Sequence, residues 1–224
     1  MSETKPRVLL VYYTYTQQNR KVAEAMAEVF AQRGCEVTQA AIEFTDPRYA
    51  ERFSRFPLRH RYLDNFGMLP AQMRRATGEI RIPQEARAGE YDLICIGSAT
   101  WWLTTCMPIR SFLKSDSTHG LMDGKPFASF AVCRRYWRSN LKTVEKLGTR
   151  QGGTYVDSVH FAAAGGQVRS LMSLISYLGT GENRARSLGI KIPAANLQPD
   201  YVEVAHGFAN GLADGIRGAL TSSR

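Results

Sequence analysis

Three stretches of the sequence gather the side chains that could do chemistry. The first is Thr14-Tyr15-Thr16-Gln17-Gln18-Asn19, where hydroxyls and amides follow the abrupt end of an apolar run. The second is Ser98-Ala99-Thr100-Trp101-Trp102, and the third is Cys133-Arg134-Arg135-Tyr136-Trp137-Arg138. Their common chemistry is the binding of a flat, phosphorylated ligand. Free backbone N–H groups at the start of a helix hold anions, the positive end of the helix dipole supports them, and hydroxyls add donors. Tryptophans stack planar rings and are costly to leave facing solvent unless something packs on them. Arginines beside such a ring attract negative charge. A plainer reading stands beside each: Thr14 or Thr16 as a helix N-cap, one of the two tryptophans covering the core, and some of the arginines facing solvent or acids.

Other chemistries lack their residues. Cys35, Cys95, Cys106 and Cys133 are far apart and form no C-x-x-C, which argues against a zinc site and a disulfide scaffold. His60, His119, His160 and His206 show no H-E-x-x-H spacing, so no metal site is expected. Cys106 falls at a helix start, where a thiolate is stabilised, but without a placed base it reads as a small packing residue. No apolar run approaches the roughly 20 residues of a membrane span, and the polar start MSETKP has no signal-peptide core. The expectation is a soluble, cytoplasmic protein. The net charge of +9 favours anionic partners without choosing among them.

The elements that must position the three stretches follow from periodicity. Apolar runs at 7–13, 35–42, 91–97, 125–133 and 154–161 read as five buried strands. Between them a 3.6-residue period recurs, with Val22, Met26, Val29 and Phe30 inward, then Ile109, Phe112 and Leu113, then Leu141, Val144 and Leu147 closing at Gly148. A last helix behind Asp200 buries Ala205, Phe208, Leu212 and Ile216. Strand and helix alternate five times, which predicts one α/β doubly wound domain over 1–224, with ligands beyond the carboxyl ends of the strands. Two segments, 45–89 and 162–199, interrupt this alternation as insertions. The first holds nine arginines against five acids and five aromatics, and is expected to cover the sheet with short helices. Arginine interleaved with aromatics is also a nucleic-acid signal, but such segments more often bury their rings, so nucleic acid is not expected. The second contains a helical pattern at Val168, Leu171, Met172, Ile175 and Leu178, followed by Gly179-Thr180-Gly181, read as a helix C-cap.

These residues carry a family resemblance. The order of elements is similar to the flavodoxin-like fold, whose phosphate loop runs S/T-x-T-G-x-T. Here Thr14 and Thr16 fall on its hydroxyl positions and Asn19 on the last. Gly97, Ser98, Thr100, Trp101 and Trp102 resemble the family's G-S-P-x-W-W loop, with Pro108 at the following helix, and residues 133–138 stand where the family wraps the isoalloxazine ring. The resemblance covers most of the chain outside the insertions. It implies a five-stranded parallel sheet of order 2-1-3-4-5 with helices on both faces. It also implies FMN as cofactor, contacted by Thr14, Thr16, Gln17, Gln18, Asn19, Ser98, Ala99, Thr100, Trp101, Trp102, Cys133, Arg134, Arg135, Tyr136 and Trp137, and the dimers or tetramers common among relatives. Two departures stand out. Ala99 replaces a proline, and Gln17 replaces the glycine that lets the backbone approach the phosphate. Either the turn avoids positive φ there or binding is weaker.

Flavodoxins proper are acidic electron carriers, and this chain is basic. Arg134, Arg135 and Arg138 would place cations near the ring, stabilising its anionic doubly reduced form by about 1–4 kcal/mol for a partly screened charge, and would attract the phosphates of NADPH. The resemblance then implies an NAD(P)H-dependent oxidoreductase of quinone-reductase type, passing two electrons to a small organic acceptor. Tyr136 is a candidate proton donor to that acceptor. The alternatives are a non-enzymatic electron carrier docking an acidic redox partner, and a flavin-free domain binding another phosphorylated ligand. An acceptor pocket walled by the insertions argues for the enzyme, and a flat, exposed ring edge for the carrier.

Overall fold

The first apolar run becomes β1, Arg7–Tyr12, whose side chains alternate between two cores. Val8, Leu10 and Tyr12 face one, and Leu9 and Val11 the other. A strand buried on both faces requires helices on both sides of its sheet. The structure, a computed structural model, describes residues 5–53, 55–195 and 197–222. In it β1 pairs in parallel with β2, Glu36–Ala41, and with β3, Leu93–Trp101. Beyond β3 lie β4, Pro126–Cys133, and β5, Thr154–Ala162, also parallel. The order β2-β1-β3-β4-β5 is the 2-1-3-4-5 arrangement that the resemblance implies.

Helices α1, Gln18–Gln32, and α5, Tyr201–Ser222, pack on the face of Val8 and Leu10, with Val22, Met26, Phe30, Ala205 and Leu212 between them. Helices α2, Met107–Phe112, and α3, Trp137–Arg150, cover the opposite face through Ile109, Phe112, Val144 and Leu147. The apolar stripes predicted for all four helices are the ones buried, except that Phe208 is only partly so. Gly148, expected to end its helix, lies inside α3 instead. A Cβ there would come within 2.5 Å of the Phe127 ring, so glycine serves close helix–sheet approach.

The third strand runs four residues past its predicted end. Its tip, Thr100 and Trp101, pairs antiparallel with Thr105 and Thr104 across a turn at Trp102 and Leu103. The insertions have structure of their own. Residues 45–89 form short helices at Ala50–Phe53, Arg61–Gly67 and Leu69–Met73 and a small antiparallel pairing of Glu43–Phe44 with Ile80–Arg81. Residues 162–199 form α4, Gln167–Thr180, capped by Gly181 at φ 75°, and a hairpin pairing Arg186–Ser187 with Ile190–Lys191.

Candidate functional site

At the carboxyl end of β1 the chain turns through Thr14–Gln17 into α1. Asn19 holds the turn closed: its buried Nδ2 donates to the Tyr13 carbonyl at 2.7 Å. Gln17, directly before the helix, has φ 61° and ψ 5°. The chain thus adopts the left-handed conformation that glycine would supply, with the Gln17 side chain pointing to solvent. Neither Thr14 nor Thr16 caps the helix. Among the described residues their hydroxyls have no partner, and the backbone N–H groups of residues 14–17 find no acceptor. This row of unsatisfied donors at a helix start has the chemistry of a phosphate cradle.

The tip of β3 supplies the second wall. Ser98 is fully buried and its hydroxyl bonds Thr105 at 2.5 Å, which removes it from the ligand side. Thr100 accepts from the buried Asn140 amide at 2.9 Å and lies beside Cys133. Trp101 is wedged among Phe53, Tyr13 and Phe44, stacked on Phe53 at 5.1 Å. Both tryptophans meet the first insertion, and Trp101 is the one held in a cluster of rings beneath it. Trp102, at φ 58°, leans against Phe66 at 5.1 Å.

The third loop, after β4, makes a left-handed turn at Tyr136, φ 62°. Gln17, Trp102 and Tyr136 thus place one non-glycine residue in the left-handed region in each of the three loops, the kind of strain that collects at binding sites. Arg134 is half-buried and donates to Gln167 O and Ser170 Oγ; Arg135 donates to Gly165 O. Both arginines therefore tie the loop to the second insertion. Desolvation, and secondarily Arg135, lowers the Arg134 pKa, yet a guanidinium stays charged. The Tyr136 hydroxyl accepts from Gln167 Nε2 at 3.2 Å, leaving its own proton free to be donated. Burial pushes the Cys133 thiol up to about 11, so it stands neutral. Cys106 is fully buried and its pKa is raised by desolvation, in keeping with a packing role.

The three loops surround a cavity of about 360 Å³. Thr14, Thr16, Gln18, Asn19, Ala99, Thr100, Trp101, Trp102, Cys133, Arg134, Arg135 and Tyr136 all line it. Three residues named from the sequence do not: Gln17 and Ser98 for the reasons above, and Trp137. The Trp137 ring is stacked on His160 at 3.7 Å with Arg138 over it at 4.4 Å, which also takes Arg138 away from the cavity.

The insertions supply part of the cavity wall. The first contributes Phe53, Leu58 and Met68, and α4 contributes Leu171, Leu174 and Leu178. The helical period of α4 signalled Leu171 and Leu178 without saying what they face. In the fold α4 buries its serines 170, 173 and 176, and turns these leucines to the cavity. Gln72 and Arg110 were missed. Gln72 donates to the Trp101 and Thr105 carbonyls, and Arg110 to those of Thr105 and Ala76, so both pin the β3 tip to the first insertion. No local pattern marks a buried polar residue whose partners are distant carbonyls.

No model of a known protein family matches the sequence, and neither does any curated protein. Solved structures do match. An FMN complex of a flavoprotein from Lactobacillus acidophilus NCFM is 18% identical, covering 69% of this chain and 93% of that one with a TM-score of 0.51. A flavodoxin from the domain Archaea is 10% identical, covering 94% and 99%, with a TM-score of 0.50. Rubredoxin:oxygen oxidoreductase from Desulfovibrio gigas is 13% identical over 96% of this chain, which spans 38% of that longer protein, with a TM-score of 0.53. Likeness at such low identity speaks for architecture alone, and it agrees with the strand order described above. The chain has the flavodoxin-like fold.

Proposed function

We propose that this chain binds FMN and catalyses NAD(P)H-dependent reduction of a small, apolar, quinone-like acceptor. The cradle fits the cofactor. The free N–H groups of residues 14–17 and the hydroxyls of Thr14 and Thr16 would hold the phosphate, and Trp102, Thr100 and residues 133–136 would border the ring. Gln17 does not oppose this, because its backbone already has the conformation of the missing glycine. FMN, when bound, supplies hydride acceptance and donation. The chain's own part is to orient the ligands, exclude water and set the charge around them. Arg134 and Arg135 add positive charge beside the ring site, and the Tyr136 hydroxyl is placed to donate a proton to an acceptor at the rim.

One observation carries the choice of enzyme over carrier. Both insertions wall the cavity with Phe53, Leu58, Met68, Leu171, Leu174 and Leu178, so apolar side chains would enclose an acceptor beside a bound ring. A carrier presents its ring edge to a partner surface; a walled, apolar pocket selects a small substrate instead. The test is an absorbance titration with FMN, followed by anaerobic NADPH or NADH and then a quinone. The expected result is FMN binding, bleaching of the flavin band by a nicotinamide and its return on adding the quinone. Absence of FMN binding overturns the cofactor assignment, and binding without bleaching by either nicotinamide returns the carrier reading.

A further inference from the structure

The chain's positive charge is concentrated on its two insertions. Residues 45–89 carry nine cations against five acids and residues 162–199 four against one, which accounts for seven of the nine net charges. Arg59, Arg74 and Arg75 of the first and Arg169, Arg186 and Lys191 of the second are exposed, with no carboxylate partner among the described residues. The same two segments also expose apolar side chains. Leu63 is 74% exposed and Val168 69%, with Phe66 and Met73 about half exposed. Leu188, at 88%, is the most exposed large apolar side chain among the described residues.

Leu188 is the least explicable from inside the chain. It and Gly189 form the two-residue loop of the hairpin, with φ of 49° and 78°. A tight loop with positive φ at both positions favours Asn-Gly or Asp-Gly, because a side chain branching at Cγ without a polar group gains nothing there. Leucine combines an unfavourable backbone region with an apolar side chain in water. Both disadvantages are offset only when that side chain enters an apolar phase.

We infer that the two insertions seat this protein on an anionic lipid bilayer surface, with Leu188, Leu63 and Phe66 dipping into the headgroup boundary and the surrounding arginines and lysine meeting lipid phosphates. Leu188 stands at a hairpin tip and Leu63 and Phe66 one turn apart on the helix Arg61–Gly67, in two segments of net positive charge; basic segments that expose a few apolar side chains suit shallow interfacial insertion, whereas a protein partner more often meets a contiguous apolar centre with a polar rim. Among the described residues no helix is long and apolar enough to cross a bilayer. The surface adjoins the candidate site: Phe66 touches Trp102, which lines the cavity. A lipid-soluble acceptor can then enter directly from the bilayer.

The test is flotation of the purified chain with phosphatidylcholine vesicles, with and without phosphatidylglycerol, in low and moderate salt. It needs no flavin, so its failure is distinct from failure of the FMN assignment. Expected are binding to the phosphatidylglycerol vesicles alone, about fivefold weakening for each of Arg74→Ala and Arg186→Ala, and a loss of roughly tenfold in Leu63→Ser/Leu188→Ser. Both leucines are exposed, and an unchanged thermal midpoint confirms that the double variant folds. Absence of binding to anionic vesicles overturns the inference. So does binding that salt abolishes but the leucine substitutions leave unchanged, because the charge would then serve a soluble acidic partner.

Discussion

The backbone N–H of Leu58 donates to the carbonyl of Leu178 at 2.7 Å, joining the two insertions across 120 residues of sequence. Beside this bond the rings of Phe56 and Tyr177 lie 5.1 Å apart, and the Tyr15 hydroxyl of the first loop donates to the Arg55 carbonyl at 2.6 Å. The cavity wall is therefore a clasp closed over the loop that would hold a phosphate.

Opening the clasp is expected to separate cofactor binding from acceptor binding. Phe56→Ala removes the ring contact with Tyr177 while leaving the hydrogen bond between Tyr177 and Gln18, and should lower stability by about 2 kcal/mol. It should raise KM for an apolar acceptor at least severalfold while changing FMN affinity much less. Denaturant melts, flavin titration and steady-state kinetics measure the three quantities. Equal loss of FMN and acceptor affinity would show that the wall acts on the cradle itself.

The cradle hydroxyls are expected to matter for the ligand and not for the fold. Thr14 and Thr16 have no internal hydrogen-bond partner among the described residues. Thr14→Val/Thr16→Val should leave the thermal midpoint of the flavin-free protein within a few degrees. Each hydrogen bond to a charged group contributes about 1.5–3 kcal/mol, so FMN affinity should fall roughly a hundredfold or more. Unchanged affinity, measured by fluorescence quenching, would sink the phosphate assignment.

Gln17 stores backbone strain. Its φ of 61° disfavours a residue with a Cβ by about 1–2 kcal/mol. The greater freedom of glycine in the unfolded chain offsets part of that gain. Gln17→Gly should therefore raise stability by up to about 1 kcal/mol and leave FMN affinity equal or tighter. A clear loss of affinity would mean that the glutamine side chain contacts the ligand.

Asp46 ties the first insertion together and gives it an acid limit. Its carboxylate, 2% exposed, accepts from Arg48 Nε and Nη2 and from the backbone N–H of Arg48 and Glu79. The Arg48 side-chain hydrogen bond is the largest cause holding its pKa at about 2, against an ordinary 3.8. A depressed folded pKa stabilises above the unfolded value and loses that contribution as pH falls through the folded one. The contribution, about 2 kcal/mol, is complete above about pH 5 and fades towards pH 2. Asp46→Asn should be less stable than the parent at neutral pH, with the difference shrinking across that window in urea melts.

Much of this protein is determined by local sequence. A strand such as residues 7–12, apolar at every position after Arg7, can only lie inside a sheet covered on both faces, and the 3.6-residue stripes of α1, α3 and α5 state which faces do the covering. The three candidate loops were legible for the same reason, since polar residues directly after a buried parallel strand must fall at its carboxyl end. Tertiary structure decided what depends on partners far along the chain. Ser98 sits in a site motif, yet its hydroxyl belongs to Thr105 because β3 continues and folds back on itself. Trp137 is lost to His160 on β5, a neighbour set only by strand order. The leucines of α4 face the cavity rather than the core, because its serines take the buried side, where the hydroxyls of Ser170 and Ser173 meet Arg134 and the Pro193 carbonyl. Periodicity marks that a helix has an apolar face, but which of two apolar environments that face meets is fixed only when the insertions close on each other.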